Sequence, residues 1–211
     1  MNILLNWFLA LAGSYLIGSI PTAYIFGKFL KGIDIRNFGS GNVGATNAFR
    51  VLGVGPGSLV LLIDILKGIL PTALVADLFS VNEIWQRVLL GLVAVAGHNW
   101  TVFLQFKGGK GIATGLGVLV GLCLRIAFLR PVVAGTLVVW GVTFFSTGFV
   151  SLASLVAATV LPILMALTGQ SLELTVLGIV LCVFVIFRHR PNLKRLMAGQ
   201  EHRVKIFPSP K

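Results

Sequence analysis

Three polar stretches carry the residues able to do chemistry. Residues 38–50 read FGSGNVGATNAFR, with Gly39, Gly41 and Gly44 interleaved with the hydroxyls of Ser40 and Thr46 and the amides of Asn42 and Asn47, and closed by Arg50. No Asp or Glu lies anywhere in residues 35–63. Residues 97–117, GHNWTVFLQFKGGKGIATGLG, set Lys107 and Lys110 around Gly108, Gly109 and Gly111. Residues 188–203, RHRPNLKRLMAGQEHR, bring His189 and Asn192 among five cations. Glycines let backbone N–H groups approach a ligand, and a run of such amides makes an anion-binding nest, strongest at a helix N-terminus. Arginine and lysine add full charge. This chemistry suits phosphate, and two phosphates more than one. Two dianions held a few Å apart repel by several kcal/mol even at moderate dielectric, so cations drawn from separate segments are what such a pair requires.

Other motifs fail on context. GSGNVG has the G-x-G-x-x-G spacing of a dinucleotide loop, but no strand precedes it and a long apolar run follows. In GGKGIAT the lysine is followed by Gly111 rather than Ser or Thr, and the glycine spacing of a phosphate-binding P-loop is missing. His98, His189 and His202 have no metal-ligand spacing, so no metal is expected. Cys123 and Cys182 sit apart inside apolar runs and read as filler. A histidine flanked by arginines has its charged form disfavoured, so His189 reads either as a neutral ring able to share a proton or as an interfacial hydrogen-bonding residue, and the sequence leaves both open.

The elements that position these residues are apolar helices. The 211-residue chain is 56% hydrophobic and 11% charged, with mean hydropathy +0.97; soluble domains carry about 25% charged residues. Lipid is the matching solvent, and spans within it must be helical. Seven spans are predicted, at 4–27, 56–79, 85–105, 111–129, 131–147, 149–168 and 173–187, the fifth and seventh short. A count of six stays open, because the breaks around the fifth rest on Arg130–Pro131 and on residues 146–148 alone. Lysine and arginine in 28–55, 106–110 and the tail from 188 fall on one side, which makes that side cytoplasmic, with the N-terminus outside and the C-terminus inside. Arg125 and Arg130 are exceptions. A single membrane domain, 1–211, with a cytoplasmic tail 188–211, is expected. The first apolar run continues past its small-residue site and has no basic residue before Lys28, so it reads as a retained span.

The net charge of +11 does not indicate nucleic acid, since the cations lie between spans and no binding motif appears. Anionic lipid and anionic substrate are the expected partners. Inside the second span Asp64 and Lys67 are three residues apart and share a helix face. Such a pair at that depth reads either as function or as a polar clasp between helices, and the sequence leaves both open.

Taken together, GSGNVGATNAFR (39–50), GHNWTVFLQFKGGKGIAT (97–114), RHRPNLKRLMAGQE (188–201) and the DxxKG of Asp64–Gly68 resemble the motifs of the bacterial membrane acyl-phosphate-dependent glycerol-3-phosphate acyltransferases. The resemblance runs from about residue 14 to 203. Thr101 stands where many members have proline, and Pro191 follows the RHR; both bear on local helix ends. The resemblance implies a seven-span enzyme of the bacterial cell (inner) membrane, with its active site on the cytoplasmic side. It would move a fatty acyl group from acyl phosphate to the 1-hydroxyl of sn-glycerol 3-phosphate, without a cofactor, and be fed by a soluble enzyme that makes the acyl phosphate. The products would be lysophosphatidic acid and phosphate, the first step of phospholipid synthesis.

On this resemblance Ser40, Gly41, Asn42, Gly44 and Thr46, with Asn47, line a pocket for the acyl-phosphate head group. Lys107 bridges both anions, with Gly108, Gly109 and Lys110 beside it. Arg50 clamps the acceptor phosphate, and His189 and Asn192 face the acceptor. A mixed anhydride has a good leaving group, so no enzyme nucleophile is needed, and no G-x-S-x-G elbow is found. What remains is positioning and charge stabilisation.

Overall fold

The computed structural model describes residues 3–204. Helices follow one another with no strand among the described residues. In order they are α1 (Ile3–Ser19), α2 (Thr22–Lys31), α3 (Ala45–Leu52), α4 (Val54–Leu70), α5 (Ala76–Leu78), α6 (Ile84–Asn99), α7 (Ile112–Cys123), α8 (Arg130–Thr147), α9 (Val150–Leu167), α10 (Leu172–Arg188) and α11 (Arg190–Met197). A π-helical turn at Pro71–Val75 joins α4 to α5, so Val54–Leu78 is one helical run of 25 residues.

Among the described residues, four runs are long and apolar enough to cross a membrane: Val54–Leu78, Ile84–Leu104, Ala127–Thr147 and Val150–Leu167. Two bent pairs, α1 with α2 at 41° and α10 with α11 at 60°, raise the number to as many as six if each pair is one broken span, and α7 is a shorter apolar helix. Helices lie in the regions of the seven expected spans, but only four to six of them qualify as spans by length and composition, and two lengths differ. The first expected span, 4–27, breaks at Ile20–Pro21, because proline has no N–H to continue the ladder and disfavours helical backbone in the residue before it. The short member is the fourth, 12 residues long where 111–129 was expected, whereas α8 and α10 have 18 and 17.

The chain clusters as two compact units, Met1–Ala127 and Phe128–Lys211. In the first, glycines let helices touch backbone to backbone. A Cβ on Gly18 would overlap the Ala94 carbonyl, and one on Gly97 the Tyr15 carbonyl, so α1 and α6 run side by side. Gly68 and Gly117 do the same for α4 and α7, against Thr114 O and Ile65 O. Lipid offers no hydrophobic drive between helices, so close approach of small residues is how such pairs gain attraction. The α4–α7 contacts place the start of α7 level with the interior of the Val54–Leu78 run. Hydrogen bonds add to α1 and α6: Tyr15 Oη donates to Trp100 O at 2.7 Å, and Thr101 Oγ1 to Ser19 O at 2.5 Å. Toward the far end of the Val54–Leu78 run, Asp77 accepts from Arg87 at 2.6 Å and pairs with Arg125, and Arg87 also donates to Thr72 O at 2.9 Å. The exceptional Arg125 is thus matched by an acid.

In the second unit α9 packs between α8 and α10. Gly178 of α10 sits against Met165 and Pro162 of α9. Pro191 falls in the first turn of α11, where its missing N–H would have had no helical partner.

Candidate active site

Loop 38–44 and helix α3 form one piece, held by Asn47. Its Oδ1 accepts from Ser40 N at 2.9 Å, its Nδ2 donates to Phe38 O at 3.0 Å, and the residue is 1% exposed. Asn47 is therefore the staple of this loop, with its bonds spent inside it. Gly39 and Gly41 have φ of +60° and +69°, backbone that favours glycine, and a Cβ on Gly39 would overlap Asn47 Oδ1 and crowd Arg50 Cδ at 3.3 Å. That close approach lays the Arg50 stem along the loop. Thr46 and Arg50, one helical turn apart, stand on the exposed face of α3, and Ser40 and Gly41 are exposed beside them.

The Lys107 loop is more tightly drawn. Gln105 and Phe106, just before Lys107, have φ of +54° and +62°. Non-glycine residues in this region cost about 1 kcal/mol or more each, so the surroundings must impose it. They do: Phe106 N donates to Thr101 O at 2.8 Å, Lys107 N to Leu104 O at 3.1 Å, Gly108 N to Asn99 O at 3.1 Å and Gly109 N to His98 O at 2.9 Å. Lys107 itself is exposed and Lys110 half-buried.

These bonds revise the expected nest. The amides of Gly41, Gly44, Gly108 and Gly109 are engaged with Phe38 O, Asn42 Oδ1, Asn99 O and His98 O. Gly108 and Gly109 are glycines because a Cβ at either would overlap the end of α6. Further backbone donors are offered by two helix N-termini with no side-chain cap, α3 after Gly44 and α7 after Gly111. Each carries partial positive charge. The buried Asn99 side chain lies against Gly111 at the start of α7, and neither of its polar atoms has a hydrogen-bond partner among the described residues.

The second unit presents a different assembly. His189 closes α10 and opens α11, 3% exposed, with Nδ1 2.8 Å from Val185 O. A carbonyl only accepts, so Nδ1 carries the proton and, in the neutral ring, Nε2 is the acceptor nitrogen. Asn192, 5% exposed, donates from Nδ2 to Glu201 Oε1 at 2.6 Å. Glu201 also accepts from Ser151 Oγ at 2.8 Å and from Arg195 Nε at 2.7 Å. Burial pushes its carboxyl up, but the bonds from Asn192, Ser151 and Arg195 outweigh this and hold it below its usual range. Glu201 was given no role from sequence; its place in the third motif, nine residues after Asn192, was the available signal. Arg190 stacks over Phe187 at 4.5 Å.

Apolar helices long enough to cross a membrane, with exposed cations beside two uncapped helix N-termini, are the features of an integral membrane protein. Residues 8–199 match the model of the glycerol-3-phosphate acyltransferase family, and the chain belongs to it. It is 45% identical to a glycerol-3-phosphate acyltransferase of Synechococcus sp. over 95% of this chain and 96% of the relative, and 42% identical to one from Gloeobacter violaceus over 95% and 97%. Among solved structures it resembles PlsY, an integral membrane glycerol 3-phosphate acyltransferase, in its glycerol 3-phosphate form, with TM-score 0.85 and 38% identity over 94% of this chain and 95% of that one. The lysophosphatidic acid form of PlsY matches with TM-score 0.82.

Proposed function

We propose that this protein acylates sn-glycerol 3-phosphate at its 1-hydroxyl with a fatty acyl phosphate as donor, at the cytoplasmic face of the bacterial cell membrane, through seven spans with the N-terminus outside. The acceptor oxygen attacks the acyl carbonyl, the bond from that carbonyl to the phosphate oxygen breaks, and lysophosphatidic acid and inorganic phosphate leave. The hydroxyl proton passes to the departing phosphate, or first to His189 Nε2. The observation that carries the reading is the Lys107 loop: two left-handed residues and four backbone bonds fix the backbone from which an exposed ammonium projects, a placed charge of the kind that stabilises a leaving phosphate.

Arg50 offers a planar fork that suits the acceptor phosphate, with Ser40, Thr46 and the start of α3 at the donor head group. Lys110 and the start of α7 add positive potential beside Lys107. His189 and Asn192 orient the glycerol hydroxyls. The acyl chain partitions into lipid at about 0.8 kcal/mol per methylene, while the acceptor arrives from water, so a site at the membrane boundary meets both.

The test is label transfer from palmitoyl phosphate to glycerol 3-phosphate by purified protein in detergent, with palmitoyl-CoA and palmitoyl-acyl carrier protein as controls. Lysophosphatidic acid from the acyl phosphate alone is expected; equal use of a thioester would overturn the donor assignment. His189→Ala separates the two proton routes. A general base contributes about 100-fold or more, so a turnover loss smaller than that assigns the proton to the donor phosphate and orientation to His189.

A further inference from the structure

The ion pair of Asp64 and Lys67 takes no part in the transfer described above, yet it lies in the middle of the first unit with side chains 2% and 3% exposed. Buried pairs of this kind are often no more stabilising than apolar residues of the same shape, so stability alone is a weak reason for one. Its surroundings supply a better one. Lys67 Nζ is 2.6 Å from Asp64 Oδ1, 2.8 Å from Ile20 O and 3.2 Å from His98 Nδ1. Asp64 Oδ1 is fixed from its other side by Thr22 Oγ1 at 3.1 Å, and Ile20 O is free of the helical ladder because α1 breaks before Pro21.

An ammonium has three protons and no lone pair. All three are matched here by acceptors, so His98 Nδ1 must be the lone-pair nitrogen and the proton sits on Nε2. A second proton on the ring would bring Nδ1–H against the Lys67 ammonium. The Nε2 edge of the ring lies directly under the Lys107 loop: a methyl group on Gly109 would overlap Nε2, and the His98 carbonyl is the acceptor for Gly109 N at 2.9 Å. His98 therefore meets Gly109 with both its backbone and its ring, two residues from Lys107.

We propose that His98 is a positioning residue for Lys107, held by the Asp64–Lys67 pair as a neutral ring protonated on Nε2. This rests on the reading of Lys107 as the group that stabilises the leaving phosphate. It turns the ambiguous pair of the second span into the outer part of the catalytic apparatus, acting through loop geometry without touching substrate.

Three measurements on the full-length protein in detergent test it. Nitrogen-15 NMR of the wild type is expected to show His98 Nδ1 unprotonated; a protonated Nδ1 overturns the proposal whatever the variants do. The double variant Asp64→Leu/Lys67→Met removes the charges but keeps the bulk. The double variant is expected to lower kcat about 10- to 100-fold, the range that misplacement of a catalytic group produces, and to leave His98 with mixed tautomers. Wild-type kcat in a folded double variant identifies a structural clasp and overturns the proposal. In a Lys107→Ala background the same double variant should cost little further, since both act through one group; fully additive losses overturn it. Undiminished activity of Lys107→Ala alone would instead sink the underlying reading of the site.

Discussion

The two units hold the groups proposed for the transfer by opposite means. In the first, Arg50 and Lys107 are exposed charges, and what is fixed is the backbone beneath them, through the buried Asn47, the left-handed Gln105 and Phe106 and the loop bonds to α6. In the second, His189 and Asn192 are buried polar groups, and their side-chain atoms are fixed directly by Val185 O and Glu201. The difference follows from what each group offers. A charge acts through a field with weak angular dependence, so it suffices to place the stem. A neutral imidazole or amide acts through one directed hydrogen bond, and a rotated ring offers the wrong nitrogen.

The largest effect should come from removing a charge. Lys107→Ala is expected to lower kcat/KM by about 100- to 1,000-fold, the range seen when a preorganised stabilising donor is lost, with the thermal midpoint little changed because the ammonium is exposed. Steady-state kinetics beside a melting curve check both. A large fall in stability would mean that Lys107 holds its loop, and the contrast between exposed charge and fixed backbone would fail.

Arg50→Lys comes next. It keeps charge and stem but loses the bidentate fork. A rise of about tenfold in KM for glycerol 3-phosphate, with kcat retained, marks loss of ground-state binding alone. If kcat falls and KM does not, Arg50 acts on the transition state and joins Lys107.

Much of this was legible in the sequence, for physical reasons that can be named. Apolar runs gave the helices, and the three-residue spacing of Asp64 and Lys67 gave their ion pair. The clustering of glycines with donors marked loops that do carry the exposed cations. It misled on mechanism at Gly108 and Gly109, because a glycine needed for packing and one needed for ligand approach look alike in a string. The length of α7 was overread, since LGVLVGLC runs into LRIAFL without a change of hydropathy, while the helix itself ends at Cys123. Nothing in Gln105 or Phe106 announces positive φ; tertiary bonds impose it. Glu201 gave no chemical signal because its partners come from Ser151, Asn192 and Arg195, two of them near and one fifty residues away.

Glu201→Gln tests the second unit. A carboxylate whose folded pKa is lowered contributes stability that is fully present above its unfolded pKa and is lost as pH falls through the folded value. The wild type should therefore lose stability on acidification below the ordinary glutamate pKa of 4.5, and the variant should lose less over the same interval. The variant's amide NH2 meets donors from Asn192 or Arg195, so KM for the acceptor should rise several-fold while Lys107-dependent phosphate release persists. Identical acid profiles for the two proteins would remove Glu201 as the group that fixes Asn192.

The smallest effect is expected at Asp34, which repeats the acid–arginine chemistry of Glu201 in an open setting. Asp34 accepts from Arg36 through both oxygens, the shorter bond 2.6 Å, and caps Arg36 N at 3.0 Å. Its carboxyl is held below the usual range by the Arg36 side chain, with the Arg36 amide assisting. Pairs of this exposure are worth about 1 kcal/mol or less. Asp34→Asn keeps an oxygen for the cap and should shift stability by no more than that, with kinetics unchanged. Salt then separates the two carboxylates. At 1 M ionic strength the screening length falls to about 3 Å, so the Asp34→Asn difference should vanish, while the Glu201→Gln difference, which rests on buried directed bonds, should survive. If both differences vanish together, Glu201 is only another surface charge, and the contrast between field and directed bond is wrong for the second unit.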